Sequence, residues 1–298
     1  MSENKFYFAF VILHYNVLQE TLRCVQSIRD NIHDVDYKII VVDNASPNHS
    51  GADLVKQYKD DSSVVVLVNE NNLGFAKGNN IGIYYARETL KADFVVALNN
   101  DTYLIQKDFP QVIEEEWTNS SFAVMGPRVF TPSGINQNPV PFEVNCIAEV
   151  NKRIRKYSVA YFRALLGVES LYHSVKDIAK KILHYKNEKV DLNERNQHYR
   201  QENVKLHGCC LVFSPRYFEY FDGFDPQTFM YFEEDILIAH LRRKKIMSVY
   251  NPKLQIFHAE MAATKSLSET SRKKQLFVYD QYLKSLRILK RFFESSEG

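Results

Sequence analysis

Asn99-Asn100-Asp101 follows directly on an apolar run, Phe94 to Leu98, so at least one carboxylate is presented where a buried strand ends. A hard divalent cation binds oxygen ligands of this kind and can bridge them to a diphosphate. The same three residues also suit a plain turn, because Asn and Asp side chains bond to nearby backbone. A second acidic group, Glu233-Glu234-Asp235, can complement the dipole of a helix over 236–245. Gly74 and Gly78 bracket Phe75-Ala76-Lys77 ahead of a helix. Small residues there let backbone N–H groups approach an anionic diphosphate and Lys77 adds charge, although glycines also simply relax a loop.

Positioning these groups requires a scaffold, and the apolar patterning supplies one. Phe6 to Leu13 and Ile39 to Val42 are β-branched and aromatic runs of strand length, each ending at a polar turn. Between them, Leu22, Val25 and Ile28 recur at helical spacing within Leu18 to Asn31, which completes a βαβ unit and favours a parallel sheet. The alternation continues with a helix near 52–58, a strand at 64–68, a helix over 78–88 and a strand at 94–98. This is a doubly wound, mostly parallel α/β arrangement of nucleotide-binding type. Ligands of such sheets sit beyond the carboxyl ends of the strands, where His14-Tyr15-Asn16, Asp43 to Ser46, Asn69 to Asn72 and Asn99 to Asp101 gather. Beyond about residue 136 the alternation is lost, and Lys152 to Lys189 reads as a basic, aromatic-rich helical insertion or lid. Regular structure resumes at Leu206 to Phe213, and a final amphipathic helix is expected over about 271–293.

Composition narrows the classes. The 298 residues include 38 basic and 36 acidic side chains, a formal net charge of +2, which is too balanced to make nucleic acid the main partner. Cys24, Cys146, Cys209 and Cys210 form neither a disulfide framework nor a zinc spacing, which fits a reducing cytoplasm. The N-terminus does not resemble a secretory signal, and no stretch reaches the roughly 20 apolar residues that span a bilayer. Lys152, Arg153, Arg155, Lys156 and Arg163, interleaved with Tyr157, Tyr161, Phe162, Leu165 and Leu166, suit either an interfacial helix on anionic lipid or a solvated helix packed on the main domain. The basic residues of the last helix repeat that character.

Taken in order, several blocks resemble glycosyltransferase family 2, which has the GT-A fold. They are Val11 to Asn16, Val41 to Ser46, Asn72 to Asn80, Leu98 to Thr102, His207 to Cys210, Gly223-Phe224-Asp225, Met230 to Asp235 and Phe257-His258. The resemblance spans roughly 6–130 and 205–260, and Asn72 to Asn80 is similar to rhamnosyltransferase-like members. It implies that Asp43 contacts the base of a nucleotide-sugar donor, with Asn16, Asn44 and Ser46 near the nucleoside. Asn72, Gly74, Lys77, Gly78 and Asn79, with Asn99 and Asn100, would also line the donor site. Asp101 would be the principal carboxylate ligand of a divalent cation, Mn2+ or Mg2+, because Asn99 replaces the first acidic residue of the family's metal motif. His258 would complete the shell, against the competing reading of a buried structural histidine. Glu234 and Asp235, ahead of Glu233, are the candidates for the base that drives one-step, inverting displacement.

On this resemblance the chain divides into a nucleotide-sugar-binding half over 1–135, a basic helical insertion over 136–204, an acceptor and catalytic half over 205–265 and a C-terminal amphipathic helix over 266–298. The expected function is transfer of a sugar from dTDP-rhamnose or a UDP-sugar to a glycan or lipid-linked acceptor in surface polysaccharide synthesis, in the cytoplasm and peripherally on an anionic membrane. The competing readings are a nucleotidyltransferase, which would need a Gly-rich basic loop after its first strand, and a catalytically weakened sugar- or nucleotide-sugar-binding protein.

Overall fold

The computed structural model describes residues 6–141, 143–169, 172, 197–260 and 272–295. Much of the expected basic segment over 152–189 therefore lies outside the described residues. Among those described, nine strands form one mixed sheet. The chain begins β1 (Tyr7–His14), α1 (Leu18–Asn31), β2 (Asp36–Asp43), α2 (Ser50–Gln57), β3 (Val64–Val68), α3 (Gly74–Tyr84) and β4 (Phe94–Asn99). It continues through β5 (Thr102–Leu104), α4 (Phe109–Ser120), β6 (Val124–Phe130) and α5 (Ile147–Leu165). The last elements are β7 (Gln201–Glu202), β8 (Cys210–Phe213), α6 (Pro215–Phe218), α7 (Glu233–Lys244), β9 (Ser248–His258) and α8 (Arg272–Glu294).

Strand order is β3-β2-β1-β4-β8-β6-β9-β5, with β7 added against β9. The first four strands are mutually parallel, as the βαβ patterning requires, while β8 enters antiparallel between β4 and β6. Successive side chains of β1 alternate between the two faces. Phe8, Phe10 and Ile12 join a core with α1, α2 and α4, whereas Ala9 and Val11 join one with α3, α6 and α7. A third, smaller core packs α5 and α8 against α7 through Val150, Ile236, Leu286 and Leu289.

Several elements differ from the expected limits. The third helix starts at Gly74 rather than 78 and runs into a wider π turn over Tyr85–Thr89. The seventh starts at Glu233 rather than 236, because Tyr231 (φ 74°) and Phe232 (φ 66°) turn the chain in the left-handed region just before it. No helix among the described residues is long and apolar enough to cross a membrane.

Register fixes the site. His14 pairs with Asp43, and Leu13 with Asn99, so the carboxyl ends of β1, β2 and β4 stop at one level. Thr102 of β5 pairs with His258 of β9, which carries that histidine to the residue after Asp101.

Candidate active site

At the end of β2, Asp43 is buried and accepts from the Ser46 hydroxyl at 2.5 Å and from the Ser46 backbone N–H at 3.3 Å. That hydroxyl in turn accepts from the Asn16 backbone N–H at 2.9 Å, so the first and second strand ends are tied together. Asp43 thus makes the expected turn, and its position at the sheet edge is kept as well. Asn16 adopts φ 64°, and its Oδ1 is buried without a hydrogen-bond partner, an acceptor atom available to a ligand donor. Beneath them lies His14, fully buried between the Thr21 hydroxyl (2.6 Å) and the Ser50 hydroxyl (2.8 Å). Burial lowers its pKa, so it acts as a neutral bracket behind Asp43, 3.9 Å away.

The loop between β3 and α3 is organised by Asn44. Its Oδ1 accepts from the Leu73 N–H (2.9 Å) and from Asn69 (3.2 Å), while its Nδ2 donates to Asn72 Oδ1 and to the Gly74 carbonyl, both at 3.0 Å. Asn72 also accepts from the Gly74 N–H at 2.9 Å, and Asn79 is buried and donates to the Phe75 carbonyl. These amides therefore shape the loop. Gly74 (φ 79°) is required twice over, by its left-handed backbone and because a Cβ there would lie 2.1 Å from the Phe229 carbonyl oxygen. At Gly78 a Cβ would meet Leu13 and Asn44, so the missing side chain lets α3 lie close to the sheet. Lys77 is exposed and lines a cavity of about 560 Å³ with Tyr84, Tyr220 and Asp222, which includes none of the carboxylates at the strand ends.

At β4 the three polar residues diverge. Asn99 is half-buried; its backbone N–H bonds to the Cys209 carbonyl. Asn100 turns inward and donates to the Thr21 hydroxyl at 3.1 Å, pinning the start of α1. Asp101, 1% exposed, places Oδ1 3.3 Å from His258 Nε2. The other ring nitrogen, Nδ1, lies 2.7 Å from Gln137 Oε1, and the Gln137 amide donates to Glu260. That chain places a proton on Nδ1 and directs Nε2 at the Asp101 carboxylate. A carboxylate oxygen and an imidazole nitrogen face each other there, a pair that can hold a cation between them. The donor set of carboxylate and imidazole suits manganese as well as magnesium.

In the sequence His207 and Cys209 stand only within a motif block, with no position in the site. Ligand atoms of His207, Cys209 and His258 lie within 4.8 Å of one another. Burial pushes the His207 pKa down to about 4 and raises that of the Cys209 thiol, so both are neutral. Their signal was available in their position one strand away from β4; only pairing shows it.

The acidic cluster separates by direction. Glu234 accepts from the Gly208 N–H at 3.1 Å, beside His207 and Cys209. Asp235 turns away and is bound by Lys205 Nζ at 3.0 and 3.1 Å and by the Val144 N–H at 2.8 Å. Burial still raises the Asp235 carboxyl above its ordinary value. Glu233 is buried with Oε1 lacking a hydrogen-bond partner, and burial, then the neighbouring Glu234, lifts it to about 8. Because the Lys205–Asp235 pair is buried on both sides, Lys205→Met is expected to destabilise the fold by about 3–5 kcal/mol in urea unfolding, by leaving a buried charge uncompensated. Adding Asp235→Leu to it should recover most of that loss.

The chain is 24% identical over 212 residues to "Low-salt glycan biosynthesis hexosyltransferase Agl10" of Haloferax volcanii, covering 70% of this chain and 54% of the relative. It therefore spans about half the length of that curated relative. Among solved structures, S. aureus TarS 1-349 superposes with TM-score 0.50 at 13% identity, covering 94% of this chain and 70% of TarS 1-349. A crystal structure titled "GalNAc-T7 with UDP, GalNAc and Mn2+" superposes with TM-score 0.55 at 12% identity, covering 87% and 44% of the respective chains. These neighbours are GT-A glycosyltransferases, and the GT-A fold is shared here. The family description "Glycosyl transferase family 2" matches residues 9–165, more than half of the sequence, so the chain belongs to glycosyl transferase family 2.

Proposed function

We propose that this protein is an inverting glycosyltransferase, which moves a sugar from dTDP-rhamnose or a UDP-sugar to a glycan or lipid-linked acceptor in surface polysaccharide synthesis. The observation that carries the reading is the gathering of Asp43, Asp101 with His258, and Glu234 around one edge of the sheet, while Asp235 is drawn off by Lys205. The hexosyltransferase relative, and the UDP and Mn2+ named for GalNAc-T7, support the same reading.

In the proposed reaction Asp43 and Asn16 Oδ1 accept from the nucleoside, and the loop held by Asn44 and Asn72 presents backbone N–H groups of α3 toward the diphosphate. Asp101 and His258 would hold a divalent cation, manganese or magnesium, whose chemistry when bound is to neutralise charge on the departing diphosphate. Glu234 takes the proton from the acceptor hydroxyl as its oxygen bonds to the anomeric carbon and the sugar–phosphate bond breaks. One displacement inverts the anomeric centre without a covalent sugar–enzyme intermediate. In the same reading residues 1–135 hold the donor, 205–265 the acceptor, and 136–204 with 266–298 serve a cytoplasmic enzyme docked peripherally on anionic lipid.

A panel of dTDP-rhamnose and common UDP-sugars, with and without Mn2+ or Mg2+, tests this by thermal shift and slow donor hydrolysis. One donor at a hundredfold excess over its Kd should stabilise the fold by about 2.7 kcal/mol, only with cation present, and should release nucleoside diphosphate. Silence across the panel overturns the donor assignment; binding with no hydrolysis or transfer makes the chain a nucleotide-sugar-binding protein.

A further inference from the structure

The helices α5 and α8 form an antiparallel hairpin. Arg272 Nε donates to the Ala164 carbonyl at 3.0 Å, the Tyr157 and Tyr282 rings meet at 4.7 Å, and Val150 packs with Leu286 and Leu289. Its charge departs from that of the rest of the molecule. Together the two helices carry twelve Lys and Arg residues against three acidic ones, an excess of nine in a chain whose total is +2. Two of those three acids, Asp280 and Glu294, are already paired with Lys284 and Lys290 of the same helix.

On α5, Lys152, Arg155, Lys156, Val159 and Phe162, with Leu166 capping the helix end, recur at three- and four-residue spacing and are all exposed, so they share one outward face. That face changes character along its length, from basic in its first half to apolar in its second. Phe162 is 61% exposed and Leu166 75%, values that a helix packed for solvent has no reason to keep. On the partner helix Phe277 is exposed near the start, after the exposed Arg272 and Lys273, and Lys284 and Arg287 are exposed further on. Antiparallel packing therefore places Phe277 at the same end as Phe162 and Leu166, with Arg163, Arg272, Lys273 and Lys274 also at that end, and the other eight bases of the two helices toward the opposite end.

We infer that this hairpin docks the enzyme on an anionic lipid bilayer, its apolar end entering the acyl boundary and its basic half lying along the headgroups. An apolar tip backed by a basic band matches a surface that is hydrocarbon below and negatively charged above. Through Ile236 and Ala239 the hairpin packs directly on α7, the helix that starts with Glu233 and Glu234. Docking thereby sets the height of the catalytic edge above the membrane, a purpose that rests on the glycosyl-transfer reading.

Flotation with vesicles of phosphatidylglycerol and phosphatidylcholine, against phosphatidylcholine alone, tests the inference on the full chain. The protein is expected to float with the anionic vesicles only, and to lose about tenfold or more of its binding between low and high salt. F162E/L166E should lose binding by a similar factor while keeping its thermal melt and its response to nucleotide sugar. Absence of binding to anionic vesicles at low salt overturns the inference, as does undiminished binding of F162E/L166E. A concentration-dependent dimer that F162E/L166E dissociates would make this face a self-association surface instead. The donor response is read on the same samples without lipid, so its failure sinks the enzymatic reading and leaves the docking result standing.

Discussion

Asp101→Ala is expected to lower sugar transfer by about three orders of magnitude or more with the fold retained. Asp101 lies just past the end of β4, 1% exposed, with its carboxylate turned to His258 Nε2. Asn99 replaces the acidic residue that resemblance to the family would place two positions earlier, and Asn100 is spent on α1. No other carboxylate of this strand end can therefore compensate. A loss of that size corresponds to about 4 kcal/mol of transition-state stabilisation, in the range seen when one charge-stabilising group is removed. Stability should not fall with it, because the backbone carbonyl of residue 101 still accepts from the Ala259 N–H, and a buried carboxylate costs desolvation. The check is a pair of measurements, turnover against cation concentration and cation affinity by calorimetry. Wild-type turnover in Asp101→Ala would remove the carboxylate from the reaction.

The parallel half of this fold was legible because local patterning determines it. Short β-branched runs, a helix at 3.6-residue spacing between them and polar residues at each strand end lead directly to β1, α1, β2 and β4. The segment from Thr102 to Phe130 carried no such expectation and holds β5, α4 and β6. The antiparallel entry of β8 was equally hidden, since it depends on pairing Val95 with Phe213 across more than a hundred residues. The site divides in the same way. Positions such as Asp43 and Asp101 follow from where strands end, but the direction of an amide does not. Asn44 and Asn72 were read as donor contacts, and their side chains are engaged in holding their own loop. His207 and Cys209 reach His258 only because β8 and β9 are brought into one sheet.

The register of Glu233, Glu234 and Asp235 is ambiguous in the sequence for a related reason, and helix geometry sends the three side chains in different directions. Consecutive residues on a helix point about 100° apart, so three adjacent carboxylates address three different surroundings. Asp235 addresses Lys205 and Val144, Glu234 addresses the loop at Gly208, and Glu233 is buried beneath them. Glu234→Gln is accordingly expected to cut turnover by about 10²–10⁴-fold with donor affinity unchanged, because a proton acceptor contributes only as the acceptor hydroxyl attacks. Gln keeps the shape and still accepts from the Gly208 N–H, so the melt should stay where it is. Asp235→Asn should behave differently, weakening the fold by loosening its bond to Lys205 while leaving the rate per folded molecule nearly intact. Glu233→Gln replaces a carboxyl whose pKa near 8 keeps it protonated at neutral pH, so its rate at pH 7 should lie close to that of the unaltered enzyme. Single-turnover rates and urea melts on the three amides separate these roles. If Glu233→Gln abolishes the chemical step and Glu234→Gln does not, the base is the buried carboxyl, and it must lose its proton to the medium before each turnover.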